Sequence, residues 1–400
     1  MAVGLLLSAW IMVAADGPQV RAVIPADHAC SEIAVVADHR PIVLTDRTAP
    51  DQDFPIHVCA ADVSKDAIEI NLAFDGQNER LKVMGARPKR IVVLGDTGCR
   101  IKGETIQACT NPKAWPLATI AKSAAAEHPD LVIHVGDYHY RETPCPEGDI
   151  RCTGSPWGDN WATWQADFID PAEPLLSAAP WVMVRGNHEE CRRAGRGWSA
   201  LLAPVPLQDG KCLDAHPPYR VDLGGYSLFV IDDNDATDFL ANSAAAARLG
   251  KDLATIPTDQ PVWLLTHHPW HAVVKSVLGV VEGSNATLSE ALGAGNSLPS
   301  SVQFLLSGHV HVWQVENFAQ GRPPQLIAGT GGDVLDTGVP ADLAGLISGG
   351  WAIHDGHSAT SFGYAVMERQ KSGWTVVAHK PDGSVLEQCR LDHGRIDCQQ

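Results

Sequence analysis

Cations are scarce in this sequence: 30 Lys and Arg stand against 47 Asp and Glu, a net charge of −17. A nucleic-acid binder or a protein that docks on an anionic membrane needs a basic footprint, so both classes are set aside. A phosphorylated substrate stays compatible, because a bound metal ion supplies positive charge locally. Long hydrophobic runs are missing too. No stretch reaches the roughly 18 apolar residues of a membrane span, and the nearest is 1–15, MAVGLLLSAWIMVAA. No CxxC pair is present, hence no zinc-ribbon spacing, and there is no internal repeat or low-complexity tract. Core-forming material is plentiful: 45% of the 400 residues are apolar and 19% charged, which excludes a disordered chain and a single small binding module.

The run 1–15 is uncharged, and Val13-Ala14-Ala15 has the small-x-small form of a signal-peptidase site. Two readings stand: a signal peptide, or an ordinary buried segment. The lack of Lys or Arg before the run weighs against the first. The cysteines weigh for it, since their ten members fall into neighbouring couples that suit an oxidising compartment. Consecutive pairing gives Cys30–Cys59, Cys99–Cys109, Cys145–Cys152, Cys191–Cys212 and Cys389–Cys398. Three of these loops hold only six to nine residues and close at small entropic cost. Spacing does not fix connectivity, and buried free thiols are the alternative. The expectation is a periplasmic or secreted protein, with no membrane span once the leader is removed.

In 24–88, Ile68, Ile70, Leu72 and Phe74 alternate onto one face, and a second apolar stretch covers 33–36. With turn residues between them, these predict a small β unit stapled by Cys30–Cys59. A boundary falls at 85–90. Beyond it the texture changes. Short Val-, Ile- and Leu-rich runs at 91–94, 131–135, 181–184, 227–231, 262–265, 302–306 and 325–328 predict strands buried on both faces. The stretches 114–128, 160–177 and 241–256 predict helices, and 361–398 predicts closing strands. The fold class is therefore α/β, with one domain over 90–398.

The chemistry stands at the strand ends. Five runs lead into Gly95-Asp96-Thr97-Gly98, Gly136-Asp137-Tyr138-His139-Tyr140, Gly186-Asn187-His188-Glu189, Thr266-His267-His268-Pro269 and Gly308-His309-Val310-His311. In open α/β sheets that edge is where ligands sit. Each block alone is weak, since Gly-Asp after a strand is usually a turn and a lone His usually a hydrogen-bonded core residue. Gly-His-x-His is stronger, because two imidazoles on one turn make a natural metal clamp.

Taken in order, the blocks resemble those of the calcineurin-like metallophosphoesterases, and more closely the purple acid phosphatase branch, whose pattern runs GDxG, GDxxY, GNH(D/E), VxxH and GHxH. The likeness covers roughly residues 90–365, and Leu264 replaces the Val of the fourth block. It implies a layered α/β/β/α sandwich. Most calcineurin-like enzymes carry DxH in the first block; here the third position is Gly98, and Tyr140 stands where the branch supplies a phenolate. The resemblance assigns Asp96, Asp137, Tyr140 and His311 to one metal, and Asp137, Asn187, His267 and His309 to a second, with Asp137 bridging. A phenolate with carboxylates suits Fe(III), and Asn with two imidazoles suits Fe(II), Zn or Mn. His188 would face the substrate as the catalytic histidine, with His268 and His271 as further substrate contacts. The implied activity is hydrolysis of a phosphomonoester by metal-activated water. A phosphodiesterase with the same centre is the alternative, and a non-catalytic phosphate- or metal-binding surface protein the reading from another class. Segments 141–159 and 270–300 would set specificity.

Overall fold

In the computed structural model, which describes residues 6–276, 279–295, 297–319, 321–348 and 351–399, every short apolar run named above becomes a strand. Arg90–Leu94, Leu131–His134 and Trp181–Met183 lie side by side and parallel, with Leu131 opposite Ile91 and Val132 opposite Trp181. They sit inside an eleven-stranded sheet closed on one side by the antiparallel strands Tyr364–Arg369, Trp374–His379, Val385–Asp392 and Arg395–Gln399. A second, eight-stranded sheet is built round the parallel strands Ser227–Val230, Val262–Leu265, Val302–Ser307 and Gln325–Ala328.

The period-two alternation of these strands explains the layering. Ile91, Val93, Ile133 and Val182 point into a core shared with Leu228, Trp263, Leu265, Phe304 and Leu306 of the second sheet. Val92, Leu94, Val132 and Trp181 point the other way, onto Leu117, Ile120 and Ala124 of the helix Leu117–Ala126 and onto Trp164, Phe168 and Leu175. On the far side, Phe229, Val262 and Leu264 pack against Leu249 and Leu253 of the helix Ser243–Leu253 and Leu288 of Ala286–Leu292. Helices thus cover both outer faces of two stacked sheets, the α/β/β/α sandwich expected. Among the described residues no helix is long and apolar enough to cross a membrane.

In two places the structure differs from the expectation. Within the run expected as a leader, Ser8–Ala14 lies in this fold as an interior strand, parallel to Trp181–Met183 on one side and antiparallel to Gly17–Pro25 on the other. Trp10, Ile11 and Met12 are buried in it. A two-sided buried strand and the apolar core of a leader have the same composition, so the hydrophobic pattern did not separate them. Nor is 24–88 a unit apart. Gly17–Pro25, Ile56–Asp62 and Thr45–Thr48 extend the eleven-stranded sheet, and only the four-stranded sheet of Arg40–Ile42, Ala34–Ala37, Glu69–Phe74 and Gln77–Lys82 stands beside it. Within that sheet Ile70, Leu72 and Phe74 face the core as expected, while Ile68 precedes the strand and is exposed. All five disulfides pair consecutively, as the spacing suggested.

Candidate metal centre

The carboxyl ends of five parallel strands, three from one sheet and two from the other, meet at one edge of the sandwich. Three of the residues they deliver leave the strand in the left-handed region: Asp96 at φ 57°, Asp137 at φ 59° and His309 at φ 67°. Such backbone costs a non-glycine residue about 1 kcal/mol or more and persists only where its surroundings hold it. Here the loops hold each other. Asp96 N–H donates to Gly136 O and Thr97 N–H to Asp137 O, each at 2.9 Å, and the His309 N–H donates to the Asp96 carboxylate at 3.0 Å. Gly186 is required by contact, because a Cβ there would lie 2.0 Å from Asp137 Oδ1.

Side chains then converge. Tyr140 Oη lies 3.1 Å from Asp96 Oδ1, 2.9 Å from Asp137 Oδ2 and 3.1 Å from His311 Nε2. On the other flank His267 Nε2 lies 3.2 Å from the same Asp137 oxygen, and Asn187 Oδ1 is 3.1 Å from His267 Nε2 and 3.2 Å from His309 Nδ1. Asp137 Oδ2 therefore faces both groups, while Oδ1 is occupied by the His188 N–H at 2.9 Å. All seven residues expected as metal ligands come together, with Asp137 between the two sets.

The imidazoles are oriented from behind. His267 Nδ1 donates to Val135 O and His311 Nδ1 to Val334 O, both at 2.8 Å. A carbonyl only accepts, so each ring must carry its hydrogen on Nδ1 and turn Nε2 inward. His309 is reversed: Nε2 meets Asp238 Oδ2 at 3.1 Å and Nδ1 faces inward. Inward-facing atoms of Asp137, His267 and His309 all lie within 4.8 Å of one another. The inward position of the Asn187 amide faces three acceptors at 3.1–3.3 Å. Such a set is satisfied by donated hydrogens or by a cation, and oxygen with imidazole nitrogen suits a divalent or trivalent transition metal. The residues present fit two ions.

Electrostatics agree. Burial opposes a charged imidazole, yet Asp137 holds His267 up at about 10, and Asp333 and Asp96 hold His311 at about 9. Burial likewise opposes charge on Asp137, but His267 and His188 keep its carboxyl well below the usual range. Without a cation, protons fill the inward nitrogens of His267 and His311, whereas burial and the neighbouring His268 lower the basicity of His309. Burial pushes the Tyr140 phenol well above its ordinary value, with Asp137 and Asp96 adding to it, so only a strong Lewis acid would ionise it here.

Gly98 and Tyr140 are linked by space. A Cβ at 98 would lie 2.7 Å from Tyr138 O and 2.8 Å from Tyr140 Cδ2. The ring fills the volume a side chain in the first block would need. Arg100 lies over that ring at 4.8 Å and pairs with Asp333.

His188 sits against Tyr140, ring centroids 3.8 Å apart, with Nδ1 2.8 Å from Glu142 Oε1 and Nε2 3.9 Å from Asp137 Oδ2. Burial depresses its basicity while Asp137 and Glu142 oppose the loss. His268 is at the centre's flank, its ring 4.2 Å from His309 and Nδ1 3.3 Å from Asp233. His271 is not brought to the centre. It begins the hairpin strand His271–Ser276 and stacks on Trp351 at 3.9 Å, beside Phe318, because the hairpin lays that face on the second sheet.

The motifs left other groups unseen. Glu189 accepts N–H bonds from Asp137, Tyr138, His139 and Gly186. Asp167 takes the N–H of Cys99 and of Tyr140, and Asp233 those of His267 and His268. Glu189 follows His188 directly and was the one legible signal; Asp167 and Asp233 stand alone in sequence. Among the described residues there are three further clusters of possible ligands: Asp238–His268–His309 adjoins the centre through His309, while Cys30–Asp46–Cys59 and Glu387–Cys389–Cys398 are accounted for by disulfides.

The profile of the calcineurin-like phosphoesterase family matches residues 89–313. Purple acid phosphatase 23 of Arabidopsis thaliana is 25% identical over 252 residues, 58% of this chain and 48% of its own length. Purple acid phosphatase 13 of the same plant is 23% identical over 278 residues, 61% of this chain and 46% of its own. The chain spans about half the length of the curated relatives it matches. A purple acid phosphatase from yellow lupin (Lupinus luteus) seeds superposes at TM-score 0.63 and 16% identity, covering 95% of this chain and 73% of that one. PhoD does so at 0.58 and 12%, covering 99% and 92%.

Proposed function

Because the chain belongs to the calcineurin-like phosphoesterase family, we propose that it is an exported phosphoester hydrolase of the purple acid phosphatase kind, acting on a phosphomonoester through a dinuclear metal centre. The observation that carries the reading is the convergence of Asp137 Oδ2 with Tyr140 on one side and with His267 and His309 on the other. Asp96, Asp137, Tyr140 and His311 would hold Fe(III), and Asp137, Asn187, His267 and His309 would hold Fe(II), Zn or Mn. When bound, the two ions would activate a water for attack and neutralise charge on the phosphoryl group.

The chain's own residues would do the rest. Asp137, whose Oδ2 faces both Tyr140 and His267, would help to hold both ions. His188, braced by Glu142 and by the His139 carbonyl at 3.1 Å, keeps Nε2 toward the cleft and would deliver a proton to the leaving alkoxide or donate to the phosphoryl oxygens. His268 would meet the substrate at the outer edge. Disulfides Cys99–Cys109, Cys145–Cys152 and Cys191–Cys212 brace loops next to Asp96, Tyr140 and His188, which favours ligands that hold their geometry. Five bridges also support an oxidising, periplasmic or secreted setting.

Purified protein loaded with iron and zinc, assayed on a panel of phosphomonoesters and diesters, tests the proposal. Turnover of monoesters above diesters is expected; the reverse order assigns a phosphodiesterase. Phosphate binding without turnover of any ester supports the non-catalytic reading instead.

A further inference from the structure

Among the described residues, His267 and His311 turn their outward nitrogens to backbone carbonyls, with Asp333 3.5 Å from His311 Nδ1, whereas His309 turns its outward nitrogen to a carboxylate at hydrogen-bond distance. Its partner Asp238 belongs to no sequence block and comes from the loop before the helix Ser243–Leu253. That loop is tied down. Asp238 Oδ1 accepts from Asn285 Nδ2 at 2.9 Å, and Asp238 O accepts the Ala286 N–H at 3.1 Å. Thr237 N and Asn242 N both donate to Thr287 Oγ1, at 2.9 and 3.0 Å. Asn285 is itself buried and caps the helix Ala286–Leu292 through Leu288 N–H at 2.9 Å. Asp238 Oδ2 is thus presented to His309 Nε2 from a fixed frame.

We propose that Asp238 is a positioning residue for the His309 half of the metal centre: by accepting the Nε2 hydrogen it holds His309 in the form whose Nδ1 lone pair points inward, and so sets the affinity of that metal position alone. The proposal rests on the dinuclear reading above. Its physical basis is that a ligating imidazole binds a cation only with the nitrogen that lacks hydrogen, and that a carboxylate on the other nitrogen both fixes this choice and makes the ring more electron-rich. No residue of the Tyr140 half touches Asp238 in any described contact, so the effect is confined to one position.

Zn(II) alone is the probe, titrated into the full metal-free chain against a competing chelator. The wild type should take up two ions, and Asp238→Ala should weaken one of them about 10–100-fold while leaving the other within about 3-fold. Asp238→Asn should lose less, since an amide oxygen can still accept the Nε2 hydrogen. In a His309→Ala background, Asp238→Ala should change nothing further, which a merely structural loss would not reproduce. Melting of the metal-free chain should fall by no more than a few degrees, the cost of the Asn285 Nδ2 bond that Asp238→Ala removes. Two ions bound with unaltered affinity in Asp238→Ala, equal weakening of both, or the same loss in the His309→Ala background overturns the positioning role. A wild type that binds fewer than two ions overturns the dinuclear reading and this inference with it.

Discussion

Around Tyr140 the groups are walled in, whereas around His309 they open to solvent. Tyr140 and Asp96 are fully buried, and the ring is sealed by Arg100, itself bound to Asp333. His311 is fixed twice, through its N–H to Asp336 and its Nδ1 to Val334 O. On the other side the His309 side chain is 22% exposed and its partner Asp238 42%. Asp137 lies between both halves, so the difference lies in the surroundings. On the proposed dinuclear reading, the walled, anionic pocket would favour the higher charge and retain its ion, and the open half would exchange its ion and admit substrate.

The largest effect should come from removing what the halves share. Asp137→Asn should empty both positions and lower kcat/KM by about 10⁴-fold, roughly 5.5 kcal/mol, with metal analysis and kinetics read on the same sample. His188→Ala should lower kcat by about 10²–10⁴-fold while both ions stay; loss of the ions with it would mean that His188 is a ligand. Gly98→Ala attacks the walled half without replacing a ligand. The added Cβ crowds the Tyr140 ring, so the Tyr140-side ion should bind about 10-fold more weakly and the His309-side ion as before. Equal weakening of both would erase the distinction between them.

The smallest effect is a background control from a buried carboxylate that touches neither half in any described contact. Glu316 is pushed up to about 8 by burial, with only Gln325 Nε2, 2.8 Å away, opposing the shift. The folded chain keeps its proton to about pH 8, while the unfolded chain releases it near pH 4.3. Folded protein thus binds more protons in that window, and stability falls as pH rises through it. Glu316→Gln should flatten that fall by a few kcal/mol at most, on the order set by this linkage, leaving metal binding unchanged. Denaturant melts at pH 5 and pH 8 measure it.

Much of the centre is legible in the amino-acid sequence. Buried parallel strands are short apolar runs, and the residues that follow them are adjacent in sequence, so all seven candidate ligands and His188 stand in readable blocks. The linkage of Gly98 to Tyr140 is visible as a missing side chain and acquires its cause from the 2.8 Å approach. What escapes is support that comes from far along the chain. Asp238 reaches His309 across 71 positions and Asp167 reaches Cys99 across 68, and a single loop aspartate carries no local pattern that announces a partner. Ser8–Ala14 escapes for another reason: apolar composition alone does not say whether a run leaves the chain or enters its core. His271 shares its loop with His267 and still turns away, because the hairpin that follows decides its face.

The most direct test of the unequal halves is graded removal of metal from the fully loaded chain, with metal content, turnover and the visible band of a phenolate bound to ferric iron read together. Unequal halves predict two steps: the first ion leaves with the activity while the colour from Tyr140 persists, and the second takes the colour with it. Simultaneous loss of both ions, or colour that fades with the first, would contradict them.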